Sequence, residues 1–224
     1  MRRALDEGRA AAARTGVGFG LMVAANRHHG PEAATDMARL AVELAGDGVV
    51  SFGLDGDEAA FPPAPFAEAF ALARAGGLLS TPHAGELLGW ESVADAMTVL
   101  GADPILHGVR ALESPDLVAR LAARGVSLDV CPTSNHKLGV VAPDDHPLRA
   151  LLDAGVRCSL NADDPLLFGT TLLEEYEHGR SACSLSDRDL AAVARTSVTS
   201  SGAPDALKAR ALAGIDEWIG VASR

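Results

Sequence analysis

Thr81-Pro82-His83-Ala84-Gly85-Glu86 sets an imidazole and a carboxylic acid at the end of an apolar run, Leu78-Leu79-Ser80-Thr81. A neutral imidazole can hold a metal ion, and a carboxyl group close to it can pass protons. Gly85 permits a sharp turn, so Glu86 can come back over the opening at the carboxyl end of the run. Taken alone, the pattern also suits a packed histidine beside a solvated acid. Polar groups close the other apolar runs as well. They are Asn26-Arg27-His28-His29, Asp55-Gly56-Asp57-Glu58, His107-Gly108, Cys131-Pro132-Thr133-Ser134-Asn135 and Asn161-Ala162-Asp163-Asp164-Pro165.

His83, His107 and Asp163 are a donor set suited to zinc, which accepts imidazole and carboxylate together and in catalytic sites keeps a place for water. Zinc brings the pKa of that water to about 7. Glu86 would then give a proton to the substrate, and Asp164 would hold the substrate by a hydrogen bond. Each group has a plainer reading on its own: His107 as a satisfied core histidine, Asp163-Asp164 as a cap ahead of Pro165. His28 and His29, on a turn before Pro31, read as surface residues.

The elements that must position these groups follow from the hydrophobic pattern. Strands are predicted at about 17–24, 49–54, 78–83, 104–107, 126–131 and 156–161. Each is followed by helical periodicity, at about 31–46, 64–76, 91–101, 114–124, 146–154 and 170–179. Ser114-Pro115-Asp116 carries a cap before a first-turn proline, and His146-Pro147 is a similar start. Further helices are expected at about 186–194 and 204–222. Alternation of this kind predicts an α/β fold, a parallel (β/α) barrel of TIM type. The polar clusters would then meet on one rim, the end where such barrels place their active sites. Six units are present where a closed barrel has eight.

The chain has 224 residues, 48% hydrophobic and only 4% aromatic, so its core must be built mainly of Ala, Leu and Val. A net charge of −11 argues against nucleic acid or an anionic membrane as partner. No apolar run approaches the roughly 20 residues that span a bilayer, and Met1–Glu7 reads as an amphipathic helix rather than a leader. Cys131, Cys158 and Cys183 lack metal-type spacing and fit a reducing cytoplasm. Cys131 and Cys158 read as small core residues.

The motifs His83-Ala84-Gly85-Glu86, Leu106-His107-Gly108-Val109-Arg110, Cys131-Pro132-Thr133-Ser134-Asn135 and Asn161-Ala162-Asp163-Asp164-Pro165 resemble the successive motifs of the adenosine deaminase family. Gly53-Leu54-Asp55-Gly56-Asp57-Glu58 matches too, as does Phe168-Gly169-Thr170 with Glu175-Tyr176 beyond it. The resemblance implies a single (β/α)-barrel deaminase domain over 1–224 that hydrolytically removes the 6-amino group of a small purine nucleoside or base. It implies that His83 and Asp163 are zinc ligands and that Glu86 protonates ring N1. His107 would orient or deprotonate the activated water instead of binding the metal. Asp164 would contact purine N7, and Gly56 would lend its N–H to ring N3.

One family element is missing. The His-x-His pair of the first strand, a source of two further zinc ligands, occurs nowhere in this chain. The expectation is therefore a barrel truncated at its N-terminal side, with two zinc ligands, weak zinc binding and slow turnover or none. Its unpaired strands at about 17–24 and 156–161 would invite association through the sheet edges. The alternative reading is a catalytically impaired relative that binds purine or serves as a scaffold.

Overall fold

The computed structural model describes residues 1–142 and 145–222. Helix α1 (Arg2–Thr15) precedes β1 (Leu21–Asn26), α2 (Gly30–Glu43), β2 (Val49–Asp55), α3 (Ala67–Ala75), β3 (Leu79–Ala84) and α4 (Trp90–Thr98). Then come β4 (Pro104–His107), α5 (Pro115–Arg124), β5 (Ser127–Val130), two short helices α6 (Pro132–Lys137) and α7 (Leu148–Asp153), and β6 (Arg157–Leu160). Helices α8 (Pro165–Phe168), α9 (Leu172–Ser181), α10 (Asp187–Ser200) and α11 (Asp205–Ala222) complete the chain. All six strands are parallel and lie in sequence order, β1 to β6. Among the described residues, nothing pairs with the outer edge of β1 or of β6, so the barrel is open. No helix among them is long and apolar enough to cross a membrane.

Parallel strands must be covered on their faces, and helices supply the cover. Leu5, Phe52, Phe66, Phe70 and Leu100 pack one apolar cluster at the β1–β3 end. Ile105, Leu117, Leu121, Leu128, Leu160 and Val193 belong to a second one behind β4–β6. The Phe52 and Phe70 rings meet edge to face with centroids 5.0 Å apart, a favoured aromatic geometry. Helix starts follow local chemistry. Ser114 Oγ accepts the Leu117 N–H at 3.3 Å, and Thr171 with Glu174 forms a capping box on α9.

Boundaries differ from expectation where tertiary pairing overrides hydrophobicity. β1 begins at Leu21, which pairs with Val49 at the start of β2. Val17 and Phe19, in the predicted strand, have no strand partner among the described residues and stay 66% and 43% exposed. Helix α7 starts only at Leu148 because His146 Nδ1 accepts the Leu148 N–H at 3.2 Å, capping the helix from outside.

Phe70→Ala should therefore cost about 3–5 kcal/mol of stability in urea unfolding, whereas Val17→Ser should stay within about 0.5 kcal/mol. A comparable loss at Val17 would place that residue in the core after all.

Candidate active site

At the end of β3 the chain turns at Gly85, whose φ is +65°. A Cβ there would stand 2.2 Å from Val93 Cγ2, so the turn demands glycine on both counts. Three consecutive N–H groups of this turn converge on one buried carboxylate. Gly85 N–H donates to Glu58 Oε2 at 2.9 Å, and the Glu86 and Leu87 N–H groups donate to Oε1, both at 3.1 Å. Ser92 Oγ adds a fourth bond to Oε2 at 2.6 Å. Arg27 lies fully buried beside it and donates to the carbonyls of Phe61 (2.7 Å) and His83 (2.8 Å). Burial pulls the Arg27 pKa down, against the pull of Glu58, Asp55 and Asp57.

These bonds aim Glu86 inward. Its Oε1 is 3.5 Å from His107 Nδ1 and is buried without a hydrogen-bond partner among the described residues. Burial, with the charges of Asp163 and Glu58, raises its pKa from the ordinary 4.5 to about 7. His107 is pushed the other way, from 6.5 to about 3, by burial and then by His83. The site therefore holds a carboxyl that keeps a proton near neutrality and an imidazole that stays uncharged.

His83 Nδ1 stands 3.1 Å from the carbonyl of Leu54 and can only donate to it, which leaves Nε2 as a free lone pair. An imidazole with one nitrogen tied to a carbonyl and the other open is the usual arrangement of a metal ligand. Its ring centroid is 5.2 Å from that of His107, and burial lowers its pKa so that the neutral, ligating form prevails. Ligand atoms of His107, Cys131 and Asp163 all lie within 4.8 Å of one another. The donors gathered here, imidazole, carboxylate and thiol, suit zinc. Backbone strain gathers here too. His107 (φ +65°) and Asp163 (φ +53°) both adopt the left-handed conformation, a cost of about 1–3 kcal/mol each that functional sites commonly carry.

A cavity of about 680 Å³ opens on this rim, and His83, His107, Asp163 and Asp164 line it. That size suits a small-molecule site. Gly56 sits at the end of β2 against Asn26 and His28, on the side of the rim near β1. His28 and His29 are exposed, and Cys158 is core. Cys131 is buried as expected, but its sulfur borders the site, which its spacing in the sequence did not indicate. Several supporting residues stand in the matching motifs without a role that the sequence assigns. Glu58 closes the motif Gly53–Glu58, and nothing in the sequence marks it as the anchor of the Gly85 turn. Glu175 is a second fully buried carboxylate, accepting from Thr133 N–H (3.2 Å) and Thr170 Oγ (2.9 Å) to fix the start of α6. Asn135 meets His107 Nδ1 at 3.1 Å.

Six parallel strands in sequence order, with an acid, imidazoles and carboxylates on the rim at their carboxyl ends, define an enzyme site of the TIM-barrel kind. The family model described as adenosine deaminase matches residues 1–218, and the chain belongs to the adenosine deaminase family. It is 52% identical over 206 residues to a putative adenosine/adenine deaminase of Streptomyces coelicolor, covering 92% of this chain and 60% of that protein. Among solved structures it is similar to adenine deaminase from Arthrobacter aurescens, with TM-score 0.89 and 32% identity, over 96% of this chain and 66% of that one. It is also similar to a zinc-bound amidohydrolase from Burkholderia ambifaria, with TM-score 0.88 and 29% identity, over 96% and 60%. The chain thus spans about two thirds or less of the length of these relatives.

The opposed shifts have a consequence for stability. Between 4.5 and about 7 the folded chain holds the Glu86 proton that the unfolded chain has lost. Glu86 therefore contributes stability that declines as pH rises through that window. His107 is proton-poor when folded between about 3 and 6.5, so its contribution declines as pH falls. Glu86→Gln removes only the first slope. Urea midpoints of variant and wild type should diverge in favour of the variant from pH 5 to pH 7; a constant difference would contradict the raised Glu86 pKa.

Proposed function

We propose that this chain carries a hydrolytic deaminase site for a 6-aminopurine, adenine or adenosine, releasing ammonia and leaving the 6-oxopurine. The observation that carries this reading is the pairing of a proton-holding Glu86 with an uncharged His107 at 3.5 Å, beside a cavity lined by His83, Asp163 and Asp164. Loss of an exocyclic amine needs a proton delivered to the ring and a water delivered to the carbon that bears the amine. Glu86, aimed inward by Glu58, supplies the proton at purine N1. His107 faces Asp163 (Nε2 to Oδ2, 3.9 Å) and orients the attacking water. Asp164 contacts N7, and the Gly56 N–H reaches N3.

His83 Nε2 and the Asp163 carboxylate would hold a zinc ion. When bound, zinc supplies a water acidic enough to be a nucleophile at neutral pH. The names of the relatives support an aminopurine substrate, and the zinc in the Burkholderia structure supports the metal. We read the 224 residues as one barrel domain acting in the cytoplasm, where three free thiols are at home. The unpaired edges of β1 and β6 are the places where added strands would dock.

A second reading, purine binding without turnover, is favoured by the small ligand set of His83 and Asp163. Ammonia release from adenine and adenosine by zinc-supplemented chain separates the two. Release is expected, and Glu86→Gln should lose about a hundredfold or more of it. Full activity in Glu86→Gln would overturn the role of Glu86. Purine binding with no release would favour the second reading.

A further inference from the structure

We propose that Asn135 and His146 are positioning residues that fix the tautomer of His107, setting its proton on Nε2 and keeping it from engaging Glu86. The inference rests on the part given to His107 above, and it decides between the two roles open to that residue, orienting the water or deprotonating it.

The direction of each hydrogen bond follows from its neighbour, starting at a group that has no choice. The Leu148 N–H can only donate, and it donates to His146 Nδ1 at 3.2 Å. His146 is kept neutral, because burial and then His178 push its pKa from 6.5 to about 4. Its single ring proton is therefore on Nε2, which donates to Asn135 Oδ1 at 3.4 Å. The oxygen of this amide is thus turned to His146 and its nitrogen to His107. Asn135 Nδ2 then donates to His107 Nδ1 at 3.1 Å. A neutral imidazole that accepts at Nδ1 carries its proton at Nε2, and Nε2 is the atom that faces Asp163.

The amide is well anchored. Asn135 is fully buried in α6; its N–H donates to the Cys131 carbonyl at 2.9 Å, and its own carbonyl accepts from Val140 and Val141 at 2.9 and 3.2 Å. Without it, His107 Nδ1 would face Glu86 Oε1 at 3.5 Å, an acceptor with no hydrogen-bond partner among the described residues. A proton on Nδ1 would be donated there, tying the acid to the imidazole. The Asn135 donor occupies that lone pair and leaves Glu86 free for the substrate. It also leaves Nε2 a donor, so His107 orients water and does not take a proton from it.

The full chain with 15N-labelled histidine, metal-free and with zinc added, reads the tautomer directly. Wild-type His107 should show a pyridine-like Nδ1 and a pyrrole-like Nε2. Asn135→Asp exchanges the donor for an acceptor and should move the proton to Nδ1. His146→Gln, which keeps a donor toward Asn135, should preserve the wild-type pattern, while His146→Leu should mix the two tautomers. A wild-type proton on Nδ1 overturns the proposal. So does a folded Asn135→Asp that keeps Nε2 protonated, or a His146→Leu that keeps the wild-type pattern. Should Asn135→Asp not fold, the wild-type spectrum and the His146 pair decide. The readout needs no turnover. Purine binding without ammonia release by the wild-type chain would therefore sink the deaminase reading while leaving this one standing.

Discussion

One buried carboxylate holds the acid of the site in place. Glu58 receives three successive backbone N–H groups and one hydroxyl, and in doing so bends the chain at Gly85 and turns Glu86 toward the imidazoles. A carboxylate that accepts this many bonds can stay charged without exposure. That charge acts a second time at a distance, since it adds to the forces that keep a proton on Glu86. Arg27, itself fully buried, braces the other side of the turn by binding the carbonyl of His83. The turn is therefore held on both sides at the carboxyl end of β3, and the ligand-bearing and proton-bearing residues are held by the same framework.

The rest of the rim repeats the device. Glu175 binds the first turn of α6, which carries Asn135, and Asn135 in turn reaches His107. Ser159 Oγ donates to Asp129 at 2.6 Å, and Asn161 Nδ2 donates to that hydroxyl at 2.8 Å, fixing the floor between β5 and β6. Supports of this type are expensive to bury and pay only when each polar atom is met. A few buried atoms at this rim have no hydrogen-bond partner among the described residues, Arg27 Nε, Asp55 Oδ1, Ser134 Oγ and Glu86 Oε1, and the last is the atom that the proposed chemistry needs free. The left-handed backbone at His107 and Asp163 belongs to the same economy, stability given up where strand ends must present a side chain at a set angle.

The sequence made the strand ends legible because parallel strands are apolar and the groups that follow them are not. β4 came out at its predicted bounds, and His83, Glu86, His107, Asp163 and Asp164 could be read as one rim from order alone. Family motifs then separated Glu86 from an ordinary surface acid. The start of β1 was not legible, since Val17 and Phe19 are as apolar as a strand residue and only the position of β2 decides where pairing begins. The supports were not legible either. Nothing local distinguishes Glu58 from Asp57, or Glu175 from Glu174; one of each pair is buried and the other caps a turn or helix. His146 reads as part of a helix start, and it is one, but its second bond to Asn135 is visible only in three dimensions.

The proposed chemistry turns on a carboxylic acid kept protonated by its surroundings at the pH where the reaction would run. The most direct measurement is the titration of the Glu86 side-chain carboxyl, followed by its 13C shift in the folded chain with glutamate labelled and Glu86→Gln used for assignment. A midpoint near 7 is expected. A midpoint near the ordinary 4.5 would mean that Glu86 is a solvated acid with no proton to give at neutral pH, and the proposed site would lose its donor.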